Sequence, residues 1–441
     1  MRAVSLPSQP SLSRRCGHRI WLLLAVFVAG FVPHITVAQQ QFLGVASCAN
    51  GICHGATAPL ANSAIQQDEY LIWHRQDQHA RAYQTLFSSE SQQIAERLKI
   101  GPAHEAAQCL NCHVSNPPAQ QRGPKFLQSD GVGCESCHGP AEGWIDSHAE
   151  GYRSNQARLA AGLYPTWEPR ARAELCSGCH LGSEDKPIDH QIMGAGHPPL
   201  RFELDTYLAS MPPHHRSDNA AELGKSVPSS MQNWLAGQLA GARVLLARLE
   251  QPQARGLLPD FMLFDCYACH HDLNEQRWQA WRAQGLRPGE PRLADQALVM
   301  LQWWLDANQP AQAQRWKQLR LELEWAVVGR GGTLPAAVAA AQHFVEQELS
   351  ASAARVQSQS AMPVLKRALE FSATSFQGDF AVAEQIAMLA GVALQEQRAV
   401  VTQEQRQALT ALHQSVISSR RFDQARYQRA AYQVKRLINN N

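Results

Sequence analysis

The chain has 441 residues, a formal net charge of +2 and 18% charged residues. That length leaves room for more than one packed unit. The near-neutral balance removes the electrostatic argument for nucleic acid or an anionic membrane as partner, so any docking patch must be local.

The N-terminal stretch reads as an export signal. Arg14, Arg15 and Arg19 precede an apolar run over 20–32, and Thr36-Val37-Ala38 offers small residues for a signal peptidase. Residues 1–38 are expected to be removed after Ala38, leaving no membrane span and a periplasmic protein. A retained anchor would need roughly 20 apolar residues, and this run is shorter. Ser13-Arg14-Arg15 resembles a twin-arginine signal only faintly, and general secretion suits a chain that must receive a cofactor unfolded. Ser13, Arg14 and Arg15 before Cys16 also exclude a lipoprotein site.

Residues 39–275 are rich in Gly, Pro, Cys and His. Four regular Cys-x-x-Cys-His motifs occur here: Cys109-Leu110-Asn111-Cys112-His113, Cys134-Glu135-Ser136-Cys137-His138, Cys176-Ser177-Gly178-Cys179-His180 and Cys266-Tyr267-Ala268-Cys269-His270. A fifth, expanded by two residues, runs from Cys48 through Ala49-Asn50-Gly51-Ile52 to Cys53-His54. Each is a c-type haem attachment site, in which two thiols add across the haem vinyl groups and the adjacent histidine binds iron. Five motifs predict five covalently attached c-type haems. Zinc would take two cysteine pairs per tetrahedral site and leave one pair over. Disulfides do not call for a histidine after every second cysteine.

Of eleven cysteines, Cys16 leaves with the signal and the other ten are used by the motifs. No thiol is left for a disulfide or a nucleophile. Nine histidines of this region stand outside the motifs: His74, His79, His104, His148, His190, His197, His214, His215 and His271. They outnumber the five second axial positions, so mostly bis-histidine haems are expected, which favours low potentials and outer-sphere electron transfer. The vicinal pair His214 and His215 can hardly both be ligands, and His271 could serve only a haem other than that of His270.

Residues 276–441 carry no cysteine and only two histidines, His343 and His413, expected simply to sit on helices. Ala294, Leu298, Leu301 and Leu305 recur with helical spacing, as do Trp316, Leu319, Leu323 and Val327. Further helices are expected over 336–348, 381–395, 403–415 and 424–438, with a capping box at Thr402 and Gln405. Trp303, Trp304, Trp316 and Trp325 are expected in the core of this bundle. The fold class expected is mainly α: a loop-rich multihaem cytochrome domain over 39–275, followed by a helical bundle over 276–441.

Several segments carry a family resemblance. They are Gly44-Val45-Ala46-Ser47-Cys48 with Cys53-His54-Gly55, Tyr70-x-x-Trp73-x-x-x-Asp77-x-His79-Ala80, and Gln108-Cys109-Leu110-Asn111-Cys112-His113. Gly131-Val132-Gly133-Cys134-Glu135-Ser136-Cys137-His138-Gly139-Pro140 and Met193-Gly194-Ala195-Gly196-His197-Pro198 add to them. Over 44–273 the chain resembles the family of the tetrahaem cytochrome that accepts electrons from hydroxylamine oxidoreductase, within the wider hydroxylamine-oxidoreductase-like multihaem superfamily. The resemblance implies closely stacked haem pairs that pass electrons along a chain in the periplasm. It implies His79 and His197 as distal ligands, with His104 and His148 on less distinctive surroundings. The chain departs from the family in having five motifs, the first expanded. It has no Cys-x-x-Cys-Lys, so the lysine-ligated haem of ammonia-forming nitrite reductases is not expected.

Two functions follow. The first is periplasmic electron transfer, with other cytochromes or a membrane quinol-oxidising complex as partners and no dedicated catalytic residues. The alternative is an oxidoreductase acting on a small nitrogen or sulfur oxyspecies at an open-face haem, since some members of that family hold a five-coordinate haem. It would need a proton donor, for which Glu135, Asp146, Glu203 and the unused histidines are candidates. A third reading is a subunit docked to a respiratory complex through its helical tail.

Overall fold

The computed structural model describes residues 40–61, 65–150, 154–214, 227–251, 260–270, 285–287, 289–353, 360–376, 378–396 and 401–439. The expected export signal, His215 and His271 lie outside the described residues. The described residues are mainly helical, and their only extended pairings are the isolated bridges Phe42 with Arg122 and Phe264 with Leu293. The expected mainly α fold class is what the chain adopts.

The motif region is made of short helices joined by loops: α1 (Glu69–Gln76), α2 (Ser89–Leu98), α3 (Ala107–His113), α4 (Cys134–His138), α5 (Pro169–His180), α6 (His190–Gly194) and α7 (Leu204–Ser210). Its apolar clusters are small. One cluster gathers Leu86, Ala95, Ala103, Leu110 and Val114, and a second gathers Ala173, Phe202 and Leu204 with Ala236 and Ala240.

Helix α8 (Ser230–Glu250) is the beam that joins this region to the rest. Ser229 and Gln232 close a capping box at its start. Two glycines set its closest approaches: a Cβ on Gly237 would stand 2.9 Å from Leu204 Cβ, and one on Gly241 3.1 Å from Ala297 Cβ. Any larger residue there would push α8 away from α7 or from its next neighbour. After the short α9 (Cys266–Cys269) come α10 (Gln296–Asn308), α11 (Pro310–Val327), α12 (Leu334–His343), α13 (Met362–Thr374), α14 (Phe380–Glu396), α15 (Gln403–Ser415) and α16 (Gln424–Asn439). Prolines at the first turn of α11, α12 and α13 cost no hydrogen bond there, because those N–H groups have no intrahelical acceptor. Thr402 and Gln405 form the capping box expected for α15.

These helices enclose one continuous apolar core that reaches back to α8, from Met231 and Trp234 through Trp304 and Trp316 to Tyr427 and Ile438. Each such side chain contributes roughly 1.5–3 kcal/mol through burial. Trp303, Trp304 and Trp316 are in the core as expected, while Trp325 is only partly buried. A buried ionic cluster lies within the same packing. The Arg292 guanidinium bridges Asp295 and Asp379, Arg320 Nη2 reaches Asp295 at 2.7 Å, and Glu324 accepts the Leu293 N–H at 3.1 Å. No described helix is long and apolar enough to cross a membrane.

Candidate functional site

The spacing of the regular motifs is a helical one: one turn of α-helix brings positions i, i+3 and i+4 to one side. Cys109, Cys112 and His113 end α3, Cys134, Cys137 and His138 occupy α4, and Cys176, Cys179 and His180 end α5. Cys266 and Cys269 bound α9, where the His270 N–H donates to Cys266 O at 2.8 Å. The expanded motif is a turn, yet it closes in the same way. The His54 N–H donates to Cys48 O at 3.2 Å, and the Cys53 and Gly55 N–H groups both reach Asn50 O. Only glycine fits after this histidine, because a Cβ on Gly55 would stand 1.9 Å from Ala49 O. Two extra residues therefore loop out without changing the relation of the first cysteine to the histidine.

Three motif histidines face a histidine from elsewhere in the chain. His54 and His148 have ring centres 6.1 Å apart, His180 and His79 6.1 Å, and His270 and His190 6.2 Å. An iron held by two imidazole nitrogens at about 2 Å each, with about 1 Å more from nitrogen to ring centre, separates the centres by about 6 Å. The paired residues thus fit an axially ligated haem iron. His197 is the histidine that acts electrostatically on His113, and His214 the first to act on His138.

Hydrogen bonds on the other ring nitrogen agree. Nδ1 of His54 is 3.0 Å from Glu69 Oε2, and that of His79 is 3.0 Å from Asp77 Oδ1. Nδ1 of His113 meets Ala82 O at 3.0 Å, that of His197 meets Pro198 O at 2.8 Å, and that of His148 meets Ile145 O. An acceptor on Nδ1 fixes the proton there and leaves the Nε2 lone pair for a metal. The Glu69 and Asp77 hydrogen bonds raise the pKa of His54 and His79. Burial pushes His138 and His180 down to about 4, which keeps them neutral.

The motifs are also neighbours of one another. The Cys48 thiol meets that of Cys134, and Cys112 meets Cys179. Cys137 of α4 feels Cys176 and Cys179 of α5. None of the ten motif cysteines pairs with another as a disulfide. Among the described residues no three His, Cys, Asp or Glu side chains gather as a metal-ion site.

Other expected residues stand elsewhere. His104 stacks on Phe87 at 4.4 Å with Nε2 3.5 Å from Glu105, and its buried Nδ1 has no partner. His74 stacks on Tyr70 and lines an open surface pocket with Arg75 and Arg81. The carboxylates weighed as proton donors have other duties. Glu135 is buried and accepts the N–H groups of Leu43, Gly44 and Ala141 at 2.7–2.8 Å, which ties the entry to the expanded motif onto α4. Glu203 caps α7 through Asp205 and Thr206, and Asp146 is exposed. Glu69, Phe202 and Tyr207 carry no local sequence signal. Phe202 stacks on His180 at 5.4 Å and Tyr207 meets it edge-on at 5.1 Å. Asp77 alone had a local signal, two residues before His79.

A family model described as "Cytochrome c554 and c-prime" matches residues 47–139, which hold the first three motifs. Over 124 residues the chain is 32% identical to cytochrome c-554 of Nitrosomonas europaea, a stretch that is 25% of this chain and 51% of the relative. The chain thus spans about half the length of the curated relative it matches. No solved structure matches it.

Proposed function

We propose that this chain is a periplasmic c-type multihaem cytochrome that transfers electrons through five covalently attached haems. The observation that carries the reading is the set of three histidine pairs at 6.1–6.2 Å, each joining one motif histidine to one from outside the motifs. The thioether positions are Cys48 and Cys53, Cys109 and Cys112, Cys134 and Cys137, Cys176 and Cys179, and Cys266 and Cys269. The histidines that would hold the irons are His54 and His148, His180 and His79, and His270 and His190, followed by His113, on which His197 acts electrostatically, and His138, on which His214 does. Haem iron supplies the one-electron exchange. The chain's own residues orient the imidazoles through Glu69, Asp77 and backbone carbonyls, and the adjacent motifs keep successive electron steps short. Residues 39–275 form the cofactor-bearing domain and 276–441 the helical one. The partners are other cytochromes or a membrane quinol-oxidising complex.

A second reading is oxidoreductase chemistry on a small nitrogen or sulfur oxyspecies at a haem whose distal face is open; His113, which His197 reaches by a charge interaction, would be the motif histidine to hold it.

Mass spectrometry of the protein matured with covalent haem should show five haems and a chain starting near Gln39. Four haems with free Cys48 and Cys53 would remove the expanded motif from the proposal. His148→Ala, His79→Ala and His190→Ala should each convert one low-spin haem to high-spin in paramagnetic resonance while all haems stay attached. Turnover of hydroxylamine, nitrite or tetrathionate at about 10 per second or faster would favour the second reading.

A further inference from the structure

Helix α1 carries a carboxylate at each end, and each one holds a different member of the paired histidines. Glu69 opens the helix; its Oε2 is 3.0 Å from Nδ1 of His54, while Oε1 accepts the Gln66 N–H at 3.0 Å. Asp77 follows directly on the last residue, and its Oδ1 takes both the backbone N–H and Nδ1 of His79, each at 3.0 Å. The helix between them is tied down. The Tyr70 N–H donates to His54 O at 2.9 Å, Trp73 Nε1 donates to Val132 O at 3.1 Å, and the Val132 N–H donates to His79 O at 3.0 Å. Asp77 is buried and Glu69 partly so, which limits how far solvent screens either charge.

Both bonds sit on the ring nitrogen remote from the iron position, so attachment of haem leaves them in place. His54 and His79 each belong to a pair at 6.1 Å, the spacing that fits an axially ligated iron. Elsewhere the acceptor is a neutral carbonyl: Nδ1 of His113 meets Ala82 O, that of His197 meets Pro198 O and that of His148 meets Ile145 O. A carboxylate draws the Nδ1 proton harder than a carbonyl and adds a full negative charge, so the imidazole gives more electron density to a metal on its Nε2. That favours iron(III) over iron(II) and lowers the potential. One cation opposes it on the His79 side, where Lys186 Nζ is 3.1 Å from Cys179 Sγ. Its charge also acts on Cys112 of the motif that ends in His113. Lys186 thus works on both motifs, whereas the Asp77 carboxylate backs a ligand of one.

We propose that Glu69 and Asp77 are potential-setting residues, which hold the haem of His54 and the haem of His79 and His180 below the potential of the haem of His113. An electron entering the chain then settles away from the two haems beside α1. The inference rests on the electron-transfer reading above and adds the residues that fix the downhill direction.

The test uses the full haem-loaded chain and a potentiometric titration followed by paramagnetic resonance of the low-spin haems. In Glu69→Gln and Asp77→Asn an amide oxygen still accepts the Nδ1 proton, so the ring keeps its orientation and only the charge is lost. Each variant should raise the reduced-to-oxidised ratio of one haem about tenfold at fixed potential, an upward shift of about 59 mV. The other haems should move less than about twofold. Asp77→Glu, which keeps the charge, should stay within about twofold of wild type. Low-spin haems whose ratios all stay within about twofold in both amide variants would overturn the proposal. So would a shift in Asp77→Glu equal to that in Asp77→Asn, because geometry and not charge would then set the potential. Wild-type protein gives a second measurement if the amide variants load haem poorly. The signals that His148→Ala and His79→Ala abolish should be reduced after the one that His113→Ala abolishes, and the reverse order would overturn the proposal. A wild-type protein without covalent haem would overturn the electron-transfer reading itself, and haem content is measured before any titration.

Discussion

The motif region and the helical region solve the same problem of filling an interior by different means. Between residues 40 and 214 the clustered buried apolar side chains form two small groups. From Met231 onward tryptophans, leucines and alanines close one continuous core with no motif residue in it. The first arrangement leaves its packing to a group that the chain must acquire, and the second is complete as synthesised. The two meet at the fifth motif. Asp265, beside Cys266, donates its N–H to Arg292 O at 2.9 Å, and the Ala294 N–H reaches Leu263 O at 2.8 Å. The last motif is thereby moored to the ionic cluster of the side-chain core.

The largest effect should come from withholding haem. Protein made without cytochrome maturation should lose protection from proteolysis and hydrogen exchange across 41–210, while α8 and α10–α16 keep theirs. Equal protection of both regions would erase the contrast. Next in size, Arg292→Ala leaves Asp295 and Asp379 buried beside each other and should cost about 3–5 kcal/mol in denaturant unfolding of the holoprotein.

A pH test follows from Glu384 of α14. Burial raises its pKa to about 7 although Arg201 Nη1 is 2.9 Å away. The folded state therefore binds the proton more tightly than the unfolded chain, whose carboxyl titrates near 4.5. Stability from this group is full below about 4.5 and lost as pH rises to about 7, by at most about 3 kcal/mol. Glu384→Gln should flatten that part of the pH profile of the denaturation midpoint. The smallest effect is Thr402→Ala, which removes the cap of α15 and should cost about 1 kcal/mol, read as a lowered midpoint with the haem spectrum unchanged.

Legibility follows the range of each interaction. The helices expected over 403–415 and 424–438 match α15 and α16 closely, because one apolar stripe and a cap specify them locally. α8 is not legible in this way. It is the longest described helix, but 13 of its 21 residues are buried against several neighbours, so no single stripe marks it. Nor is α13, since Met362-Pro363 at its start reads as a break in sequence although it is a first turn in structure. The composition changes near residue 275, while the packed core already reaches Met231, because composition follows the cysteines and histidines and packing follows the apolar faces.

The sequence by itself determined the five cysteine–histidine motifs, since two thiols and an imidazole must lie within one turn or one tight loop, and local spacing states that directly. It also determined the helical class of the C-terminal half. Only the tertiary structure decided which histidine faces which motif. His190 meets His270 and His148 meets His54 across long stretches of chain, His104 turns to Phe87, and Glu135 becomes a clasp for Leu43 and Gly44. Those relations join residues distant in sequence through packing in three dimensions, and no local pattern encodes them.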